Sequence, residues 1–302
     1  MEIILSKCLT HKHFRIKYGN SHPIYQKDVP TLPELPEVET IKNELSPYII
    51  GRRFTDVSVL DAKPLKQLPV EESRRRLVGQ TVAGMGRRGK YLIFRLSGGN
   101  VLVLHLKMTG SLLLNPGEIN RYARIVFHFD DGAQLVFMDR RRLGAIWMLE
   151  NDLSVAGKLG PEPLSPDFTV DVLAERLRKR QAPIKAILLD QGFIAGVGNM
   201  YADEALFAAK IHPLRKAAGL SHKEIRSLHR AIVNVLKSAI SSKGASIDTY
   251  IRPNGQFGTA HDNFRVAHRA GHSCPVCGTP IQRLAIRNRG SYFCPHCQKL
   301  YP

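Results

Sequence analysis

Thr31-Leu32-Pro33-Glu34-Leu35-Pro36-Glu37-Val38-Glu39-Thr40 is the stretch from which the rest of the chain can be read. Pro36 suits the first turn of a helix, where a missing N–H leaves no hydrogen bond unmade. Glu37 and Glu39 follow, and carboxylates are favoured at the positive end of the helix dipole. A helix therefore starts here and points its N-terminus at Pro33 and Glu34. Read blandly, the stretch is a proline-punctuated loop entering an amphipathic helix.

Downstream, the hydrophobic pattern changes period once. From Gly51 to about Leu149 it is mostly period two. Tyr91–Leu96 and Val101–Leu106 are apolar runs joined by Ser97-Gly98-Gly99-Asn100, a hairpin signal. Arg124–Phe129 puts Ile125, Phe127 and Phe129 on one face, and Asp131-Gly132 turns the chain into Gln134–Met138. Short strands at this spacing predict an antiparallel sandwich or flattened barrel. Gly157–Phe168, rich in Gly and Pro, reads as a boundary. Beyond it helices are expected over Val170–Arg180, Pro183–Asp190 and Asn199–Lys210. A longer one opens at the capping box Ser221-His222-Lys223-Glu224 and runs to about Ser242. Gly244–Ser273 shows no period and is expected to be a mobile loop. The fold class is therefore α+β: an N-terminal antiparallel β-sandwich and a C-terminal helical domain ending in a small hairpin.

Four of the five cysteines, Cys274, Cys277, Cys294 and Cys297, fall within the last thirty residues. Two CxxC pairs separated by sixteen residues suit tetrahedral zinc better than a disulfide framework. The ion would be single and structural, closing a hairpin too small for its own core. Ile281–Ile286 and Ser291–Phe293 would be its strands, with a turn at Arg289-Gly290.

The chain carries a net charge of +18, of which +3 lies in residues 1–32. Such an excess points to a polyanion, because counterion release drives binding to phosphate backbones. Basic residues also cluster at Arg87-Arg88-Gly89-Lys90, at Asp139-Arg140-Arg141-Arg142, and on the hairpin at Arg283, Arg287 and Arg289. Gly196-Val197-Gly198-Asn199 precedes a helix, where glycines let a phosphate approach backbone N–H groups. Neither a secretory signal nor a run of about 18 apolar residues is evident, so a cytoplasmic protein is expected.

Pro33-Glu34-Leu35-Pro36-Glu37-Val38-Glu39-Thr40 resembles the mature N-terminus of the bacterial formamidopyrimidine-DNA glycosylases. Further stretches agree in order: the Lys90 turn, the His105–Gly110 and Asp139–Gly144 loops, the helix–two-turn–helix around Gly196–Glu204, and the zinc hairpin. The resemblance implies a bifunctional DNA glycosylase and AP lyase of base excision repair. It would excise oxidised purines (8-oxoguanine, formamidopyrimidines) from double-stranded DNA through a Schiff base on the N-terminal proline, then cleave by β- and δ-elimination. Pro33 would be the nucleophile and Glu34 the acid at the sugar ring oxygen. Lys90 would touch a phosphate beside the lesion, and Arg289 the lesion's phosphate. Met108 would wedge into the gap left by the flipped base and Arg141 would read the orphaned cytosine. Leu143, Tyr122, Arg180, Lys185 and Asn199 complete the implied DNA contacts, with Glu204 a structural ion-pair partner. Leu143 and Arg140 stand where the family often has Phe and Pro.

An amide nitrogen is no nucleophile, and Pro33 as written follows thirty-two residues. Leu32 occupies the place of the family's initiator Met, so residues 1–32 read as a mis-called start or removed leader. The expected organisation is then a catalytic domain over 33–160, a DNA-binding domain with lesion loop over 161–262, and a zinc hairpin over 268–302. The expected protein is a monomer of the bacterial cytoplasm, associated with the nucleoid. Two other readings are an endonuclease VIII-like enzyme for oxidised pyrimidines and a non-catalytic zinc-ribbon DNA-binding protein. Leu35 and the 244–273 loop favour the purine enzyme.

Overall fold

The computed structural model describes residues 32–151 and 157–300. The leader reading, Leu32 apart, lies outside them. Helix α1 (Leu35–Ile49) forms where Pro36 and the acidic first turn predict it. Its apolar positions serve two cores. Val38, Ile41, Leu45 and Ile49 are buried in the sandwich, while Leu35 is buried among the C-terminal helices. One helix thus fixes the relative placement of the two lobes.

The sandwich packs a four-stranded sheet, β1-β7-β8-β6, on a five-stranded sheet, β2-β9-β5-β4-β3. The strands are β1 (Phe54–Val59), β2 (Leu65–Lys66), β3 (Val82–Arg88), β4 (Tyr91–Leu96), β5 (Val101–His105), β6 (Gly110–Leu114), β7 (Ala123–Phe129), β8 (Gln134–Asp139) and β9 (Ala145–Leu149). The predicted hairpins β4–β5 and β7–β8 are present, and Ile125, Phe127 and Phe129 share the core face. Two features depart from the sequence reading. β2 pairs with β9 in parallel, so the sandwich is not wholly antiparallel. Helix α2 (Val70–Leu77) interrupts the period-two region. It buries only Leu77 and is held by Arg75 and Arg76 on Glu72, pairs that hydropathy does not register.

The C-terminal helices are α3 (Val170–Leu177), α4 (Ile184–Leu188), α5 (Asn199–Ala208) and α6 (His222–Ser241). Ser221 caps α6, its hydroxyl accepting from Glu224 N and its N–H donating to the Glu224 carboxylate. The boundary segment is clamped to the sandwich. Glu162 receives Arg87 at 2.8 Å and Arg88 at 3.0 Å, and Arg87 also meets Glu39 of α1 at 2.7 Å. The basic run before β4 is therefore partly a structural clip rather than a free cationic turn.

Segment 244–273 is not the loose loop expected. Tyr250 is buried in the sandwich core, Phe264 and Ala267 in the helical core, and Ala260–Asn263 forms a 3-10 turn. Its order comes from contacts distant in sequence, which local periodicity cannot report.

The final hairpin pairs β10 (Gln282–Ile286) with β11 (Arg289–Phe293). Its two-residue turn is Arg287-Asn288, at φ +48° and +58°, not Arg289-Gly290 as expected. A primed turn needs positive φ at both central residues, and Asn tolerates it well. Arg289 consequently begins a strand and is held in register opposite Ile286.

Candidate active site and nucleic-acid interface

The N-terminus of α1 rests on the turn that starts α5. Leu35 N donates to Gly196 O at 3.1 Å. Gly196 sits at φ +80°, and a Cβ there would fall 2.7 Å from Leu35 Cβ, so glycine is required twice over. Met200 N donates to Glu34 Oε1 at 3.1 Å, while Glu34 Oε2 is enclosed without a hydrogen-bond partner. Burial pushes the Glu34 carboxyl up to about 7, with Lys90 opposing and Glu37 adding to the rise. Such a group can hold a proton near neutral pH and release it to a developing anion.

Lys90 leaves the β3–β4 turn and points its amine at the same place. A Cβ on Gly198 would lie 2.3 Å from Glu34 Cδ and 2.6 Å from Lys90 Nζ. Gly198 is thus the floor on which acid and amine meet. Burial holds Lys90 below the usual lysine range, against Glu34 and Glu37, and the nearby Arg289 charge lowers it further. Pro33, next to Glu34 in the chain, is buried.

The zinc hairpin is docked onto α4 and α5 by buried polar groups. Lys185 Nζ donates to Gly290 O at 3.1 Å and Asn199 Nδ2 to the same oxygen at 3.0 Å. Lys185 also pairs with Asp203 at 2.7 Å, and Tyr292 N donates to Asp203 Oδ2 at 3.2 Å. Arg289, one residue before Gly290, is exposed and has no ion pair among the described residues. The resemblance implied Lys185 as a DNA contact. Here it is fully enclosed and binds protein, so it positions the hairpin that presents Arg289. Glu204 likewise makes no ion pair among the described residues: its carboxylate accepts the N–H groups of Arg265, Val266 and Ala267.

Two loops form one plug. Asp139, wholly buried, accepts from Thr109 Oγ1, from Arg141 N at 3.2 Å and from Gly144 N at 2.6 Å. This ties the Met108 loop to the Arg141–Leu143 loop. Arg141 Nη1 lies 3.4 Å from Met108 Sδ, and Leu143 is 40% exposed. An apolar residue left in water on the same loop as an arginine that has no ion pair among the described residues can enter an opened base stack. Tyr122 adjoins the plug through its carbonyl, which accepts from Asp139 N, and carries Arg121 over its ring. Arg180 is exposed, three residues past the end of α3, and has no hydrogen bond or ion pair with these residues among those described.

The four hairpin cysteines place their Sγ atoms within 4.8 Å of one another. Cys274 and Cys297 are 3.9 Å apart, and Cys277 and Cys294 3.4 Å. Tetrahedral zinc with bonds of about 2.3 Å requires sulfurs about 3.8 Å apart, so the four thiolates fit the ion. Val276 N and Cys297 N point at Cys274 and Cys294 sulfurs, which supports thiolate charge.

Sequence reasoning missed Glu37, Asp139 and Asp203. Glu37 accepts from Glu34 N, Tyr201 OH and Ala245 N, at 2.8, 2.5 and 2.8 Å, so it binds three segments together. Its spacing of three from Glu34 at a helix start was the available signal. Asp139 and Asp203 carried none, since the side chains they hold, Thr109 and Lys185, stand on other elements of the chain.

Comparison with known proteins agrees with this geometry. The family described as Formamidopyrimidine-DNA glycosylase N-terminal domain matches residues 32–146, and the Formamidopyrimidine-DNA glycosylase H2TH domain matches 159–250. The zinc finger found in FPG and IleRS matches 271–300. A formamidopyrimidine-DNA glycosylase of Symbiobacterium thermophilum is 44% identical over 273 residues, 88% of this chain and 89% of its own. One from Chloroflexus aurantiacus is 42% identical, covering 88% and 98%. Lactococcus lactis Fpg in complex with abasic-site DNA superposes with a TM-score of 0.82 at 34% identity, over 88% of this chain and 100% of that one. The same holds for its complex with Fapy-dG containing DNA.

Proposed function

The chain belongs to the formamidopyrimidine-DNA glycosylase family, and on that premise we propose a proline-centred mechanism for it. The protein is a base-excision DNA glycosylase that binds damaged duplex DNA and contains one structural zinc ion. We propose further that it removes oxidised purines and then cleaves the strand as an AP lyase.

Pro33, freed as the first residue, attacks C1′ of the extruded nucleoside. The N-glycosidic bond breaks and the base leaves with a proton. An α-amino group titrates near ~8, so a large fraction is neutral at working pH. Glu34 protonates the ring oxygen as the sugar opens, giving an iminium ion. That cation draws electrons from C2′, whose proton is lost as the C3′–O bond breaks and phosphate departs. A second elimination breaks the C5′–O bond and leaves a one-nucleotide gap. Lys90 and Arg289 offset the charge of the flanking phosphates. Met108, Arg141 and Leu143 fill the vacated stack, with Tyr122, Asn199 and Arg180 along the DNA path. The zinc ion cross-links the hairpin and takes no part in the chemistry. The enzyme works as a monomer in the bacterial cytoplasm, at the nucleoid.

The meeting of Glu34 and Lys90 over Gly198, beside Pro33, carries this reading. Borohydride trapping on a duplex with 8-oxoguanine opposite cytosine tests it. The chain starting at Pro33 should yield a covalent adduct, and the chain with Met1–Leu32 attached should not. Binding without an adduct in both would make it a DNA-binding module. Preference for thymine glycol would make it the pyrimidine enzyme.

A further inference from the structure

The segment between Gly244 and Thr259 is closed at its base and fastened at its far end. Ala245 bridges Thr259, and Gly258 N donates to Ser246 Oγ at 2.9 Å. Besides Tyr250, whose ring is buried in the sandwich core, its far end is held at three points on the sandwich and on α1. Thr249 Oγ1 donates to Met108 O at 2.8 Å. Leu114 N, on the outer strand β6, donates to Pro253 O at 2.9 Å. Arg252 grips both carboxylate oxygens of Glu44 on α1, Oε1 through Nη2 at 2.6 Å and Oε2 through Nε at 3.2 Å.

The last contact differs in kind from the others. Both side chains are more than four-fifths enclosed, at 17% and 18% exposure, and Arg252 uses two nitrogens. Bidentate arginine–carboxylate pairs fix direction as well as distance. Glu44 stands ten residues along α1 from Glu34, about 15 Å of helix rise. The same rigid helix therefore carries Glu34 at one end and the loop's anchor near the other.

We infer that Arg252 and Glu44 form a latch that holds the 244–259 loop on the sandwich and thereby pre-positions Met108 for insertion at the lesion. This rests on the proposed function, in which Met108 fills the gap left by an extruded base. Both are positioning residues: neither touches the reacting atoms. With the latch closed, Thr249 supports the Met108 carbonyl before DNA arrives, so insertion needs no prior ordering of the loop. With it open, the loop must be ordered during extrusion and the step slows.

Two readouts test this, and neither depends on a free Pro33 amine. The first is amide hydrogen exchange over 249–257 in the full chain. The second is the fluorescence rise of 2-aminopurine beside 8-oxoguanine as the base is extruded. Arg252→Gln should weaken loop protection about tenfold and slow the rise at least about fivefold. The exchanged pair Glu44→Arg/Arg252→Glu should restore both toward wild type. Unchanged protection or an unchanged rise in Arg252→Gln overturns the latch. So does failure of the exchanged pair, provided that its far-ultraviolet circular dichroism and melting match wild type. Should the exchanged pair misfold, Glu44→Gln must reproduce the Arg252→Gln defect, or the inference falls. A wild-type chain with no lesion-dependent rise would instead refute the glycosylase reading.

Discussion

Gly198→Ala puts one methyl group where the structure has no room. The backbone there, φ −130° and ψ −159°, is one that alanine adopts without strain. The consequence is therefore steric alone. The new Cβ would lie 2.3 Å from Glu34 Cδ and 2.6 Å from Lys90 Nζ, against an ordinary separation of about 3.5–4.0 Å. Relief requires the acid, the amine or the start of α5 to withdraw by about 1 Å. Overpacking of this kind costs about 1–3 kcal/mol, and a displacement of about 1 Å at reacting groups costs about 100-fold in rate. Single-turnover cleavage of an 8-oxoguanine duplex by the chain starting at Pro33 should fall by about that factor. The melting temperature should drop by only about 2–4 °C per kcal/mol. Gly84→Ala, where a Cβ meets nothing within 4 Å, is the matched control and should change neither. Cleavage within threefold of wild type in Gly198→Ala would refute the placement of Glu34 and Lys90 over this glycine.

Asp203→Asn strands the Lys185 charge in a fully enclosed site; denaturant unfolding should show a loss of about 3–5 kcal/mol, and a loss below about 1 would contradict the pairing. The Glu34 carboxyl, raised to about 7 by burial, makes stability fall as pH rises from the ordinary carboxylate range through 7, because the unfolded chain ionises first. Glu34→Gln removes that penalty, so it should raise the melting temperature more at pH 8 than at pH 5 while abolishing rapid strand cleavage; equal shifts at both pH values would argue against a protonated Glu34. Stripping zinc with a chelator should release the hairpin, seen as rapid amide exchange over 282–293, and with it the Arg289 contribution to lesion binding. Protection that survives metal removal would show the hairpin held by Lys185 and Asn199 alone.

Much of the fold was readable because it rests on local rules. Alternation over Arg124–Phe129 gave β7, the Asp131-Gly132 turn gave its return strand, and Ser221 with Glu224 gave the start of α6. The cysteine spacing gave the zinc site for the same reason: four ligands in two short knuckles need little from the rest of the chain. Helix α2 escaped because surface ion pairs, not apolar period, define it. The hairpin turn was misplaced by two residues because Gly290 looked like the turn residue. In the structure it is glycine so that Arg283 can lie against it, 2.8 Å from where a Cβ would be.

Sequence alone determined which chemistry is present: a proline beside a glutamate at a helix start, a lysine on a strand turn, four zinc thiolates and a large basic excess. Each is a property of residue type and short spacing. Only tertiary structure decided which groups are enclosed as supports. Lys185 became a buried strut because Asp203 and Gly290 O enclose it, and Glu204 a backbone anchor because three N–H groups converge on it. The expected mobile loop became a fastened strap because Tyr250 and Arg252 find partners some two hundred residues earlier in the chain. A side chain's role depends on the groups that close around it, and those come from parts of the chain that no local pattern links.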